Sequence, residues 1–143
     1  MSIEMYHSLI DRICEKFDIS DPGSMYQAAH LRLRGMDFTL YHGGVIIPDS
    51  VLMYCDFGEL PTQSREQVLL RLLEANVYLF GANSPAFTYN PQKNHIMLMC
   101  RFSLIRATLE STLELFDHFA EMATRWNNDY FLFEDVRGIG APL

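Results

Sequence analysis

The stretch SREQVLLRLLEANVYLFG, Ser64 to Gly81, decides how the rest of the chain is read. At 100° per residue, Val68, Leu69, Leu70, Leu72, Leu73, Val77, Leu79 and Phe80 occupy more than half of a helix circumference. Arg71, Glu74 and Tyr78 are left for water. A helix lying on one sheet needs an apolar stripe of only about 100°. The excess predicts two buried faces, one against the chain's own core and one against a second surface. That surface is either a larger internal core or a second copy of the chain. Asn76 lies inside the apolar arc, where its amide must find a partner or cost about 1–3 kcal/mol. Ser64 and Gln67 have the spacing of a capping box, and Gly81 is placed to end the helix.

Sequence on both sides of this helix reads as strands. From Met36 the hydrophobic period is two: Phe38 and Leu40 alternate with Asp37, Thr39 and Tyr41. His42, Gly43 and Gly44 then supply a hairpin turn. Val45 to Ile47 reads as a second strand, Pro48 to Ser50 as a turn, and Val51 to Phe57 as a third strand. Beyond the helix, Ala86 to Tyr89 and His95 to Phe102 flank the turn residues Asn90 to Asn94. The segment HIMLMCRF at His95 to Phe102 is apolar on both faces, with Met97 and Met99 on one of them. Such a strand is either covered on both sides or waiting for a partner.

Both ends read as helical. Ser2 can cap a first helix in which Met5, Tyr6, Leu9, Ile10, Ile13, Cys14 and Phe17 cover about half the cylinder. Asp21 to Ser24 end it with turn chemistry, and residues 25–35 admit a helix, a strand or a loop. The last helix runs from about Ile105 to Trp126. Its apolar side chains form two adjacent stripes, and Glu110, Glu114, Asp117 and Glu121 form an acidic ridge opposite. That ridge is either a solvated face or an attractor for a basic segment. The tail from Asn127 carries Tyr130, Phe131, Leu132 and Phe133, too apolar to float free, before a Gly-rich end expected to fray. The order is α-β-β-β-α-β-β-α, an α+β fold with an antiparallel twisted sheet packed by helices. The main domain is expected over residues 1–126, with a partly ordered extension over 127–143.

Composition narrows the function. A chain of 143 residues buries a core without metal or disulfide staples. A net charge of -7 with only 11 Lys and Arg argues against nucleic acid as a partner. No apolar run reaches the roughly 18 residues of a membrane span, and the start MSIEMYHSL lacks the plan of a signal peptide. A cytosolic protein without membrane insertion is expected. The widely spaced Cys14, Cys55 and Cys100 read as reduced core thiols. Eight methionines suit a surface that accepts more than one shape of partner.

Catalytic signatures are sparse. A cysteine nucleophile needs a base nearby, yet no local pattern surrounds Cys55, Cys100, His30, His42, His95 or His118. Neither CxxC nor HxxxH occurs, and Gly43 and Gly44 are isolated from any phosphate-binding pattern. Neither a metal nor a cofactor is expected, and no enzyme.

Particular words within this order resemble the class I type III secretion chaperones of the Tir-chaperone type. They are DFGELP at Asp56 to Pro61, LLEAN at Leu72 to Asn76 with Gly81 after it, AFTYNPQKNHIMLMCRFSL at Ala86 to Leu104, and the closing Arg125 and Trp126. The resemblance covers residues 1–126. It implies a small acidic cytosolic homodimer, without enzymatic activity, that binds the N-terminal region of a secreted effector in extended form and keeps it competent for export. Backbone pairing at a sheet edge and apolar pockets would supply the binding. By analogy Leu9, Ile13, Phe17, Phe38, Leu40, Met97 and Met99 line the effector patches, and Leu69, Leu73, Val77 and Phe80 hold the dimer. The stretch at 20–35 and the tail after Trp126 depart from a minimal family member. Two rivals stand beside this reading: a scaffold protein of the secretion apparatus with the same fold, and a small-molecule enzyme built around Cys55, Cys100 and a histidine.

Overall fold

Five segments with apolar residues at every second position join into one antiparallel sheet in the computed structural model, which describes residues 2–79, 83 and 85–140. In chain order the elements are α1 (Ser2–Lys16), β1 (Ala29–Leu33), β2 (Met36–His42), β3 (Ser50–Glu59), α2 (Arg65–Tyr78), β4 (Ala86–Asn90), β5 (His95–Ser103) and α3 (Leu109–Asp129). Single 3-10 turns lie at Pro22–Met25 and Val136–Gly138. The strands are arranged β1-β2-β3-β5-β4, each antiparallel to its neighbours.

The expected order of elements holds, but one strand is a different one. Val45–Ile47 is not a strand; it belongs to the loop joining β2 to β3. The His42 ring buckles that loop, accepting from the Gly44 N–H at 3.2 Å and donating to the Pro48 carbonyl at 2.7 Å. A side chain at Gly43 would meet the Ile47 carbonyl at 2.1 Å, so this turn accepts only glycine. Val45 and Ile46 are left almost wholly exposed at the tip. The third N-terminal strand is instead β1, within the stretch that the sequence leaves open. Arg34 and Gly35, at φ 52° and 79°, form the two-residue hairpin turn whose twist matches the strands.

The apolar sides of α1 and α3 cover one face of the sheet. Phe116 meets Phe38 edge-on at 4.9 Å, Trp126 lies 6.1 Å from Phe57, and the Tyr6 hydroxyl donates to the Leu40 carbonyl at 3.2 Å. The expected capping box at Ser64 is absent. Ser64 sits at φ 58° and makes no cap hydrogen bond, because an N-cap side chain reaches the first turn from extended backbone. Thr108 and Ser111 form the box instead, at the start of α3. The proposed stop at Gly81 lies outside the described residues.

α2 lies along the free edge of β4. The Asn76 amide accepts from the Phe87 N–H at 2.7 Å and donates to the Phe87 carbonyl at 3.3 Å, satisfying both backbone groups of that edge residue. Beyond α3 the chain doubles back with Tyr130 and Phe131 at φ 56° and 59°. Phe131 and Ile139 are fully buried. Arg71 donates to the carbonyls of Phe131 and Glu134, Arg125 to the Glu134 carboxylate at 2.6 Å, and His118 to the Gly140 carbonyl at 3.1 Å. Ile139 is thus anchored within the Gly-rich end, the remainder of which, residues 141–143, lies outside the described residues.

Replacing Asn76 with alanine removes both partners of Phe87 at once. The expected loss is about 1–3 kcal/mol of unfolding free energy, read from urea denaturation at constant slope.

Candidate functional site

Side chains on a strand alternate between two faces, and only one face of this sheet carries helices. The opposite face presents Thr39 and Tyr41 from β2, Leu52 and Tyr54 from β3, and Met97 and Met99 from β5. Cross-strand register brings them together: Tyr41 stands opposite Leu52, Thr39 opposite Tyr54, and Tyr54 opposite Met99. The rings of Tyr41 and Tyr54 meet edge-on at 5.9 Å. Sheet twist curves this face into a groove of about 850 Å³, with His30 and Arg32 on one bank and Lys93 on the other.

The polar groups of the groove are largely paired. Arg32 binds Asp37 at 2.8 Å, and His30 lies 3.2 Å from the Thr39 hydroxyl. His95 Nδ1 is 2.9 Å from both Asp56 oxygens, and the Gly58 N–H donates to the same carboxylate across a bulge in β3. The result is a patch of aromatic rings and thioethers, Tyr41, Tyr54, Met97 and Met99, set among polar side chains. β1 forms one edge of the sheet, and among the described residues no backbone hydrogen bond reaches its outer side.

α2 supplies a second apolar surface. Val68, Leu72, Ala75 and Leu79 enter the core, while Leu73, Val77 and Leu70 are 62%, 54% and 50% exposed. The over-wide apolar arc is thus half used by the chain's own fold.

The sequence-predicted residues divide accordingly. Met97 and Met99 lie on the open face, and Phe17 is partly exposed just past α1. Leu9 and Ile13 are core residues, at 1% exposure, because the stripe of α1 that carries them turns toward the sheet. Phe38 and Leu40 are buried as well, under α3 and α1. Assigning β2 to the wrong face exchanges every side chain on it, and the outward residues are Thr39 and Tyr41. Leu69 is half-buried, Leu73 and Val77 are exposed, and Phe80 lies outside the described residues. Leu52, Tyr54 and Leu70 were missed. Pairing β3 with the two-faced β5 would have found the first two.

The thiols and imidazoles do not form a site. Cys55 and Cys100 point into the core while His30 and His95 stand on the opposite face. Cys14 abuts the Met25 sulfur at 3.6 Å. Burial pushes the Cys55 thiol strongly up and the Cys100 thiol up to about 12. Among the described residues no group of three or more His, Cys, Asp or Glu is placed to hold a metal ion, and no helix is long and apolar enough to cross a membrane.

The model of the Tir chaperone protein (CesT) family matches residues 37–127, more than half of the chain. The chain belongs to that family. No curated protein sequence matches it. Among solved structures, a chain of the HopA1–SchA chaperone–effector complex is similar over 90% of this CesT-family chain and 97% of its own, with a TM-score of 0.66 at 11% identity. The ExsC–ExsE complex contains another, with a TM-score of 0.63 at 12% identity, covering 87% and 92%. A third comes from the ExoT–SpcS complex of Pseudomonas aeruginosa, with a TM-score of 0.57 at 16% identity, covering 85% and 96%. At such identities the likeness is one of fold. As a CesT-family chaperone the protein acts by binding another protein, not by catalysis. The matched span takes in the open face from β2 onward and α2, and leaves α1, β1 and the tail outside.

The thiols provide a check on this architecture. At neutral pH, maleimide is expected to label none of the three in the native chain and all three in denaturant. A buried thiol stays neutral where the unfolded one, with its ordinary value near 9.0, ionises. Its contribution to stability is therefore complete below pH 9 and declines as pH rises toward 12. Thermal unfolding followed from pH 8 to 11 should show that decline, and it should be shallower in Cys100→Ala.

Proposed function

We propose that this chain is a type III secretion chaperone. As a homodimer in the bacterial cytosol, it takes the N-terminal region of a secreted effector across the open face of its sheet and keeps that protein soluble and competent for export. The observation that carries this reading is the uncovered concave face. Met97, Tyr41 and Tyr54 line one exposed groove, with Met99 opposite Tyr54 on the same face, an arrangement that suits a holder of extended chain. Thioethers rearrange to fit different side chains at small cost, and each large apolar side chain buried contributes about 1.5–3 kcal/mol. The open edge of β1 favours backbone pairing with the same segment, which is tolerant of sequence. One chain of similar fold was solved within a chaperone–effector complex, which fits the same reading.

Homodimerisation is supported by the α2 stripe of Leu70, Leu73 and Val77. A stable partner for such a stripe must be constantly available, and a second copy is. The net charge of -7 supplies solubility to a protein that exposes apolar surface by design. Neither nucleotide nor cofactor enters the scheme.

The test is capture of the tagged chain from secreting cells of its own source, with the bound segment mapped by protease protection. Recovery of a secreted protein held through its N-terminal region is expected. The double change Met97→Glu and Met99→Glu, on the open face, should leave the fold intact and weaken that complex at least tenfold. Equal retention by the variant would remove the groove from the site. Separately, Leu73→Glu is expected to halve the mass seen in sedimentation equilibrium.

A further inference from the structure

The tail carries an aromatic side chain that the fold holds out into water. Phe133 is 88% exposed, while Phe131, two residues earlier, is fully buried. This is not a loose segment. Arg71, on α2, donates to the carbonyl of Phe131 on one side of Phe133 and to that of Glu134 on the other. Arg125 grips the Glu134 side chain at 2.6 Å. Phe133 is therefore fixed relative to α2, the helix whose own apolar stripe is exposed.

The area of that stripe is too small for its task. A helix of 14 residues is about 21 Å long and roughly 10 Å wide, a footprint on the order of 200 Å². A stable protein interface needs about 800 Å² from each partner. The contact must spread to the flanks of α2. On one flank lies the β4 edge, already closed by Asn76, with Tyr89 engaged by Asn94 at 2.7 Å and by the Arg65 guanidinium at 5.9 Å from its ring. On the other lies the tail, with Phe133 free. The charges around it come in both signs: Arg71 with Glu74 at 3.6 Å, and Arg137 with Asp135 at 2.7 Å. Two copies of an acidic chain can meet there without like charges facing each other. Polar pairs around an aromatic anchor are also the usual anatomy of an interface.

We infer that the tail is part of the self-association surface and that Phe133 is its apolar contact with a second copy of this chain. The inference rests on the reading of α2 as the dimer helix, and it goes beyond that helix to a segment outside the span 37–127 that the family model matches. In a twofold pair each tail contributes one Phe133 to the partner, so the contact is made twice.

The experiment is sedimentation equilibrium of the full chain carrying Phe133→Ser, beside the unaltered chain and Leu73→Glu. A side chain so exposed contributes little to folding of one copy, so the thermal midpoint of dissociated Phe133→Ser should match that of unaltered chain diluted to the same state. The dimer dissociation constant is expected to rise at least tenfold. In Phe133→Trp, where the other tryptophan, Trp126, is buried, emission should shift to the blue on association. An unchanged dissociation constant in Phe133→Ser, with Leu73→Glu monomeric, overturns the inference and leaves the reading of α2 standing. A dimer that survives Leu73→Glu overturns both. Loss of effector affinity without change in self-association would assign Phe133 to the effector surface and overturn the inference as well.

Discussion

The double hydrogen bond between the Asn76 amide and the backbone of Phe87 is the constraint on which the arrangement turns. It fastens a helix along the edge of a sheet, where another strand would otherwise add. With β4 closed in this way, β1 remains as the edge open to a partner. The same contact fixes how α2 is rotated. Asn76 faces the strand, Val68, Leu72 and Ala75 turn into the core, and Leu70, Leu73 and Val77 are turned outward. One polar side chain inside an apolar arc thus decides which edge is available and which helix face is left uncovered.

The open face follows from the period of two. Each strand divides its side chains between helices and water, and the division puts a core of Phe, Met, Cys and Leu on one side and Tyr, Met and Thr on the other. Neither set is a catalytic arrangement. The buried thiols are held neutral, and an intimate imidazole–carboxylate contact, His95 with Asp56, shares its carboxylate with the Gly58 N–H at a strand irregularity. That contact stiffens a bulge. Membership of the CesT family agrees with a protein that acts without catalysis.

Much of this was legible in the residues, and the exceptions have physical causes. The width of the apolar arc on α2, the two-faced character of His95 to Phe102 and the order of helices and strands all follow from periodicity, which reports burial directly. The faces of β2 did not: Phe38 and Leu40 are apolar on any reading, and whether apolar means buried or exposed for binding depends on which face α1 and α3 select. β1 escaped because its hairpin turn uses Arg34 at a positive φ, a residue that carries no turn signal. Conversely, His42-Gly43-Gly44 signals a tight turn but opens a longer loop, because Gly43 packs against Ile47. The packing of the tail was unreadable for a related reason. Its anchors are the carbonyls of Phe131, Glu134 and Ile139, gripped by Arg71 and Arg125, and backbone acceptors leave no mark in a sequence.

Those same anchors span long distances along the chain. Arg71 reaches residues 60 and 63 positions ahead, and Asn127 donates to a carbonyl 70 positions behind it. Contacts of such separation form only after costly loop closure, and a chain rich in them folds slowly. α2 and α3 are local structures, whereas the segment around Phe131 makes its contacts with Arg71 and Phe87 from far along the chain. Until Phe131 docks, Phe87, whose ring it meets edge-on at 6.1 Å, lacks part of its covering. Before then the chain exposes apolar surface that its own fold afterwards encloses.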